Sequence, residues 1–167
     1  MGKYIRLWLI IFMLCFAACQ CQRQQQGSQS ISLLQKIKAA NDGQQISHAE
    51  LMEVVTVLGE MKAPGAEDQI IKLMLKTDDL AIGNACIMAL GEIKSPQAML
   101  SIIKFIDNKP SVMRRQAIIA ARKIADDVAA GWLLANAYGH EDPTVRKEAL
   151  SAFEEVNAKI KKESKEH

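Results

Sequence analysis

Apolar residues recur along the chain with the period of an α-helix. In four segments of eight residues, the first, fourth, fifth and eighth positions are apolar or small. The i, i+3, i+4, i+7 spacing places these positions on one stripe of a helix. The stripe residues are Val54, Val57, Leu58 and Met61; Cys86, Ala89, Leu90 and Ile93; Ala117, Ala120, Ala121 and Ile124; Ala149, Ala152, Phe153 and Val156. Because the segments start 31 or 32 residues apart, the pattern predicts one helical unit that repeats.

The second half of each unit repeats as well. Pro64 and Pro96 lie 32 residues apart, and each is followed at the same distance by Ile-Ile-Lys. Proline is tolerated in the first turn of a helix because its missing N–H has no intrahelical partner there. We therefore expect a helix to begin near each proline, including Pro110 and Pro143, which makes each unit a helical hairpin. The predicted helices span residues 31–41, 47–62, 64–76, 79–94, 96–107, 110–125, 127–138 and 143–161.

The ends of the stack also have predicted structures. Ser47 followed by Glu50 resembles a capping box, in which the hydroxyl and the carboxylate both accept from amides at the helix start. Helix 31–41, with Ile31, Leu34 and Ile37 along one side, is expected to cover the first repeat. The fourth unit lacks a second helix and finishes in the charged segment NAKIKKESKEH, which we interpret as a cap. Both ends are then closed.

Two segments resemble a known repeat family. LGEIKSP (90–96) and PTVRKEALSAFEEV (143–156) are similar to the short HEAT-like repeats named after phycobilisome lyases. The resemblance covers about residues 47–156 and implies an all-α fold, an α-solenoid of stacked antiparallel hairpins whose second helices line the concave side. Such a fold implies a binding surface, but the family has many unrelated roles and indicates no single activity.

The N-terminal residues have the layout of an export signal. Lys3 and Arg6 precede an apolar run of about 13 residues, shorter than the roughly 20 that span a bilayer. Phe16-Ala17-Ala18-Cys19 resembles the lipobox of bacterial lipoproteins, which implies acylation of Cys19, for example with palmitate, and attachment to a membrane. We predict a signal peptide at 1–18, a lipidated flexible tether at 19–30 and the repeat domain at 31–167. The alternatives are an ordinary signal peptide or an uncleaved anchor.

The predicted location is the cell envelope. In enteric lipoproteins an Asp after the lipidated cysteine favours inner-membrane retention, and this chain has Gln20 there. The resemblance therefore points to the outer membrane, with a periplasmic or inner-membrane-anchored protein as the alternative.

Charge and residue types limit the chemistry. Removing Lys3 and Arg6 from the 21 basic residues leaves 19, which equals the number of acidic residues, so a basic nucleic-acid-binding face is not expected. The sequence has three histidines and no apparent cluster of metal ligands, so we predict no metal, no cofactor and no catalytic residue. Some HEAT-repeat hydroxylases bind iron with repeated His-Glu pairs, but His140-Glu141 is a single pair. Cys86 occupies a stripe position and is expected to be a small buried hydrophobe.

The best binding candidates are polar and aromatic residues of the second helices. These are Gln69, Lys72, Lys76, Lys104, Asn136 and Tyr138. Trp132 fits either an interface aromatic or a core residue. In the family, a basic residue near the start of a first helix often bridges to an adjacent repeat. Arg114-Arg115 and Arg146-Lys147 occupy such positions, and we expect them to pair with Asp107 and Asp142.

The functional hypothesis is a membrane-tethered scaffold or adaptor that binds an unidentified protein partner through its repeat surface. The alternative is a carrier or chaperone for an apolar ligand. An enzyme of the bilin-lyase type ranks third, because an export signal and a short array do not suit it.

Overall fold

The computed structural model describes residues 26–107 and 109–165, which form eight α-helices and no strand. The helices are α1 (26–41), α2 (His48–Glu60), α3 (Ala66–Lys76), α4 (Leu80–Ile93), α5 (Pro96–Ile106), α6 (Ser111–Ile124), α7 (Asp127–Gly139) and α8 (Pro143–Glu163). The predicted all-α solenoid is confirmed, and each predicted helix is present.

The helix starts differ from the predictions in detail. Residues 26–30 are helical, so α1 begins five residues before the predicted helix 31–41. Pro96 and Pro143 lie in the first helical turn as expected. Pro64 instead lies in the turn before α3, and Pro110 is the residue that precedes α6. The signal peptide, the lipidation of Cys19 and the start of the tether lie outside the described residues.

The helices form two layers. In the first layer α2 contacts α4, α4 contacts α6, and α6 contacts α8. In the second layer α3 contacts α5, and α5 contacts α7. Each second-layer helix also packs on the first-layer helices before and after it, as α3 does with α2 and α4. This arrangement is a stack of helical hairpins.

The core lies between the layers and follows the predicted stripe. Of the sixteen stripe residues, all are buried except Val57, Met61, Ile93 and Phe153, which are half-buried. The first helices approach closely where the repeat has glycine: a Cβ on Gly91 would lie 3.0 Å from the Cα of Ala120. The glycine at the sixth position of one segment therefore packs against the alanine at the fourth position of the next.

A residue with positive φ ends three of the first-layer helices at the same repeat position. Lys62, Lys94 and Ala125 have φ values of 48°, 61° and 55°. The N–H of Lys94 and that of Ala125 each donate to the carbonyl four residues back, which closes the last turn. The chain then reverses direction into the second helix. This left-handed cap is a repeated feature that the apolar pattern alone does not reveal.

The two ends of the described stack differ. Helix α1 covers the first repeat as predicted, because Ile37 is fully buried and Leu34 is half-buried against the core, although Ile31 is exposed. The charged C-terminal segment stays a predicted cap, and the apolar surface beside α8, the last described helix, is partly exposed. Leu134 of α7 and Leu150 of α8 are each 38% exposed on this end of the stack.

Among the described helices, none combines the length and the apolar character needed to cross a bilayer.

Candidate binding surface

The three predicted residues on α3 contact the C-terminal end of α1. The backbone carbonyl and the side-chain Oε1 of Gln69 accept from Nδ2 of Asn41 at 3.0 and 3.3 Å. Lys76 Nζ donates to the Asn41 carbonyl at 2.8 Å, and Lys72 Nζ lies 3.4 Å from a carboxylate oxygen of Asp42. A lysine at a helix C-terminus satisfies a carbonyl that lacks an intrahelical partner. These side chains hold α1 in place, and a role for them in binding a partner stays a prediction.

Asn136 is part of the internal structure of α7. Only 7% of its surface reaches solvent, which leaves little of this predicted binding residue for contact with a partner. Its Nδ2 donates to the carbonyl of Trp132 at 2.8 Å, and its Oδ1 accepts from Nη1 of Arg114 at 3.2 Å. Asn136 therefore fixes the Arg114 side chain against α7.

Helix α7 carries apolar residues on all sides. Leu133 is buried, and Trp132 is half-buried against the core, which supports the core interpretation of this residue. Val128 and Leu134 are exposed, and Tyr138 is 77% exposed. A helix that is apolar all round is normally buried, whereas α7 lies at the protein surface. The exposed side of α7 is therefore a candidate contact surface.

A cleft of about 540 Å³ lies beside α7. It is lined by Arg114, Trp132, Ala135, Asn136, Gly139, His140 and Glu141. Its rim is held by Arg146, whose Nη1 donates to the carbonyls of His140 and Glu141, each at 2.8 Å. The ring Nδ1 of His140 accepts from the N–H of Asp142 at 3.0 Å. The cleft combines an indole, a guanidinium and fixed backbone, which suits contact with a polypeptide.

The exposed apolar residues continue from α7 across the second layer. We define the second-layer face as Leu75 of α3, Leu100 and Lys104 of α5, and Val128 and Tyr138 of α7, all of which are exposed. Leu100 is 58% exposed. Of the predicted binding residues, Lys104 and Tyr138 lie on this face. Sequence reasoning missed Leu75, Leu100 and Val128. The available signal was that these apolar residues lie outside the face that carries the buried residues of each second helix.

The comparison with known protein families agrees with the architecture. The family model described as HEAT repeats matches residues 48–122. The chain contains HEAT-like repeats. No curated protein and no solved structure matches the chain at a significant level.

Ion pairs join neighbouring HEAT-like repeats. Arg115 of α6 forms a two-pronged contact with Glu148 of α8, with Nη2 at 2.5 Å from Oε1 and Nε at 2.8 Å from Oε2. The hydrogen bond from Arg115 lowers the pKa of Glu148, and the same contact raises the pKa of Arg115. The pair spans 33 residues, which is about one repeat. The predicted bridge from a first helix to the adjacent repeat is therefore present.

The acidic partners are not the predicted ones. Within residues 26–107 and 109–165, Asp107 and Asp142 form no ion pair with these basic residues. Asp142 instead caps α8, where its carboxylate accepts from the N–H of Thr144 at 2.8 Å. The pKa of Asp142 is lowered by its hydrogen bonds with backbone N–H groups, that of Thr144 first. Aspartate is among the preferred residues at this position, because its carboxylate satisfies a backbone N–H that has no partner within the helix.

Further ion pairs follow the HEAT-like repeat spacing. Lys123 pairs with Glu92, and Arg122 lies 3.6 Å from a carboxylate oxygen of Glu155.

A second cleft of about 330 Å³ lies on the first layer, mainly along α6. It is lined by Val112, Arg115, Gln116, Ile118, Ile119, Arg122 and Glu148. Its two arginines are already paired with carboxylates, so they offer less to a partner than the groups beside α7.

The residues that commonly carry chemistry are dispersed. Among the described residues, no three of the His, Cys, Asp and Glu side chains are grouped so as to hold a metal ion. Cys86 is fully buried, as expected for a small hydrophobe, and burial raises the pKa of its thiol to about 12.

Proposed function

We propose that this chain is a membrane-tethered scaffold of the cell envelope that binds a protein partner through α7 and the second-layer face. Repeat arrays of this kind commonly present extended binding surfaces. The observation that carries the proposal is the exposure of Tyr138 and Val128 on a surface helix, next to the cleft that contains Trp132.

The residue types at this surface favour a protein partner. Tyrosine, tryptophan and arginine account for a large share of the binding energy at protein interfaces. Tyr138 projects into solvent, and Trp132 and Arg114 line the adjacent cleft. Lys104 adds a positive charge on α5. The surface therefore suits a segment with an apolar anchor and an acidic flank.

The surface is held in shape before any partner binds. Arg114 is fixed by Asn136, and the turn after α7 is fixed by Arg146. A preformed surface reduces the entropy lost on binding, because fewer side chains become ordered. The scaffold would then act by positioning its partner.

The alternative function is a carrier for an apolar ligand, and the clefts favour it less. Sites for such ligands enclose most of the molecule in a mainly apolar cavity. The clefts beside α7 and along α6 are open and contain Arg114, Arg115 and Arg122. A third cleft of about 180 Å³, between α2 and α4, contains Glu60 and Glu92. Charged linings of this kind suit a protein surface better than a lipid.

Cross-linking in cells tests the partner. A photoreactive group placed at Tyr138 is expected to capture one reproducible protein after detergent solubilisation, whereas the same group at Ile119, which is exposed on the first layer, is not. Tyr138→Ala should weaken binding of that protein by about tenfold or more, the effect of losing an interface anchor. Equal capture at both positions, or a lipid or pigment that copurifies in place of a protein, would contradict the proposal.

The tether is tested separately. Cys19 is the residue proposed to carry the lipid, and Cys19→Ser is expected to release the protein from membranes into the soluble fraction. Cys21→Ser is the matched control and should leave fractionation unchanged. Membrane association of the Cys19→Ser protein would reject lipid anchoring without affecting the proposed binding surface.

A further inference from the structure

The C-terminal end of the described stack retains apolar residues at positions that the next repeat covers elsewhere. Leu150 of α8 corresponds, by the repeat spacing, to Val55, Ile87 and Ile118. Those three are buried to 2% exposure or less, while Leu150 is 38% exposed. The surface at Leu150 thus has the composition of an interface between repeats.

The second layer shows the same difference. Leu134 of α7 corresponds to Ile71 of α3 and Ile103 of α5. The two isoleucines are half-buried and pack against the core, whereas Leu134 is exposed to the same 38% as Leu150. The uncovered surface therefore extends over both layers. We call it the C-terminal face, defined by Leu134, Lys147 and Leu150.

The opposite end of the stack has a matching shape. Helix α1 contacts α3 through Asn41 and Gln69, so it lies in the second layer, ahead of α2 in the first layer. At the C-terminal face the arrangement is the opposite. The last described helix, α8, lies in the first layer and extends the stack past α7 of the second layer. If two copies stack head to tail, α1 of one copy fits beside α8 and α7 of the other.

Charges at the two ends are complementary at the position of an existing ion pair. Arg115 of α6 pairs with Glu148 of α8 across a seam within the chain. One repeat further, Lys147 corresponds to Arg115. In α2, Glu53 is exposed and corresponds to Glu148. A second copy placed against the C-terminal face by the repeat geometry would bring its Glu53 to Lys147.

We propose that copies of this chain associate head to tail, with the C-terminal face of one copy against α1 and α2 of the next. Leu134 and Leu150 become covered, and Lys147 pairs with Glu53 of the neighbouring copy. The inference goes beyond the proposed binding of a partner, because its occupant is a second copy of this chain and its surface shares only Leu134 with the exposed side of α7. Copies held on one membrane surface would form a row.

One position opposes this contact. Within the chain, Glu92 forms an ion pair with Lys123 of the next repeat. Glu155 occupies the repeat position of Glu92, and Glu60 occupies that of Lys123. The contact between copies would therefore bring Glu155 to Glu60 of the neighbouring copy. These groups carry like charges, which weakens the association. Glu60→Lys is therefore expected to strengthen it, an effect that damage to the fold cannot imitate.

Sedimentation of the full chain in detergent tests the proposal. The wild type is expected to populate species beyond the dimer as concentration rises. Lys147→Glu and Glu53→Lys should each raise the concentration at which the chains associate by about tenfold, since each places like charges in contact. The double variant Lys147→Glu with Glu53→Lys should restore association. Glu60→Lys should lower the concentration at which the chains associate.

The control is Lys104→Glu, which reverses an exposed charge on the second-layer face and should leave association unchanged. A monomer at every concentration for both the wild type and Glu60→Lys would overturn the proposal. So would an assembly that stops at the dimer, or one whose association is the same in all the charge variants, as expected for association through the tether alone.

Discussion

Gly59 of α2 lies directly against Ala89 of α4: a Cβ built on Gly59 would stand 2.6 Å from both the Cα and the Cβ of Ala89. The contact recurs one repeat later, where Gly91 meets Ala120. At the next repeat Arg122 takes the glycine position, and α6 and α8 are joined by its contacts with Ser151 and Glu155. Glycine thus sets how closely two first helices approach.

Gly59→Ala is expected to destabilise the protein by about 1–3 kcal/mol, the usual effect of overpacking a tight contact. The added methyl group meets backbone atoms of Ala89, which cannot rotate away. Alanine is the better helix former by up to about 1 kcal/mol, so the sign of the result reports the clash. Urea unfolding followed by circular dichroism measures the change.

Gly131→Ala is the matched control, because nothing lies within 4 Å of the Cβ position at Gly131 in α7. Here the helix preference acts alone, and the variant should be more stable by about 0.5–1 kcal/mol. If both alanine variants are stabilised, the close packing of α2 on α4 is contradicted.

These contacts show how far the sequence determines the fold. The spacing of small and apolar residues predicted the hairpins and the buried stripe, because burial of one helix face imposes a 3.6-residue period. The capping box was half right. Ser47 Oγ accepts from the N–H of Glu50 at 3.2 Å, but the Glu50 carboxylate lies 2.7 Å from Nζ of Lys36 on α1. The identity of a long-range partner depends on three-dimensional packing, which periodicity does not contain.

The binding surface was less predictable than the fold for a related reason. A polar residue on a second helix can face solvent or a neighbouring helix, and the sequence pattern does not distinguish the two. From the sequence, Gln69 and Lys76 were therefore as good candidates for a solvent-facing position as Lys104, but in the structure they contact α1. The repeat spacing did contain one unused signal, since Glu148 lies one repeat from Arg115 at the matching first-helix position.

Cys86 is expected to make stability depend on pH in the alkaline range. Burial raises the pKa of its thiol to about 12, while the unfolded chain ionises near the ordinary value of 9.0. Above pH 9 the unfolded state loses its proton first, so the stabilisation is complete below pH 9 and is lost as pH rises towards 12. The expected slope is about 1.4 kcal/mol per pH unit.

Comparison with Cys86→Ala isolates this effect, because both proteins share all their other titrating groups. Urea unfolding under reducing conditions at pH 8 and pH 10 should show a greater loss of stability in the wild type than in the variant. Equal losses would mean that the thiol is accessible in the folded state.

Ala125 offers a test of the repeated left-handed cap. Its φ of 55° is unfavourable for a residue with a Cβ, at a cost of about 1–2 kcal/mol, and glycine avoids this cost. Ala125→Gly is therefore expected to raise stability, by about 1 kcal/mol after the greater entropy of glycine in the unfolded chain is included. Ala135→Gly, within the exposed side of α7, should lower it by a similar amount. Thermal unfolding of the two variants measures both changes, and destabilisation by Ala125→Gly would contradict the cap geometry.

Asn41 links α1 to the rest of the stack, and its replacement should release that helix. The side chain is 4% exposed, and its Nδ2 donates to the carbonyl of Gln69. Asn41→Ala removes the two hydrogen bonds from Nδ2 to Gln69, each of which is worth about 0.5–1.5 kcal/mol. Hydrogen exchange of α1 should accelerate while that of α4 and α6 stays unchanged, since α1 packs at the edge of the core. Lys38→Ala, an exposed substitution in the same helix, should leave exchange in α1 as it is. Uniform acceleration across all helices would show that α1 does not open on its own and that the stack unfolds as one unit.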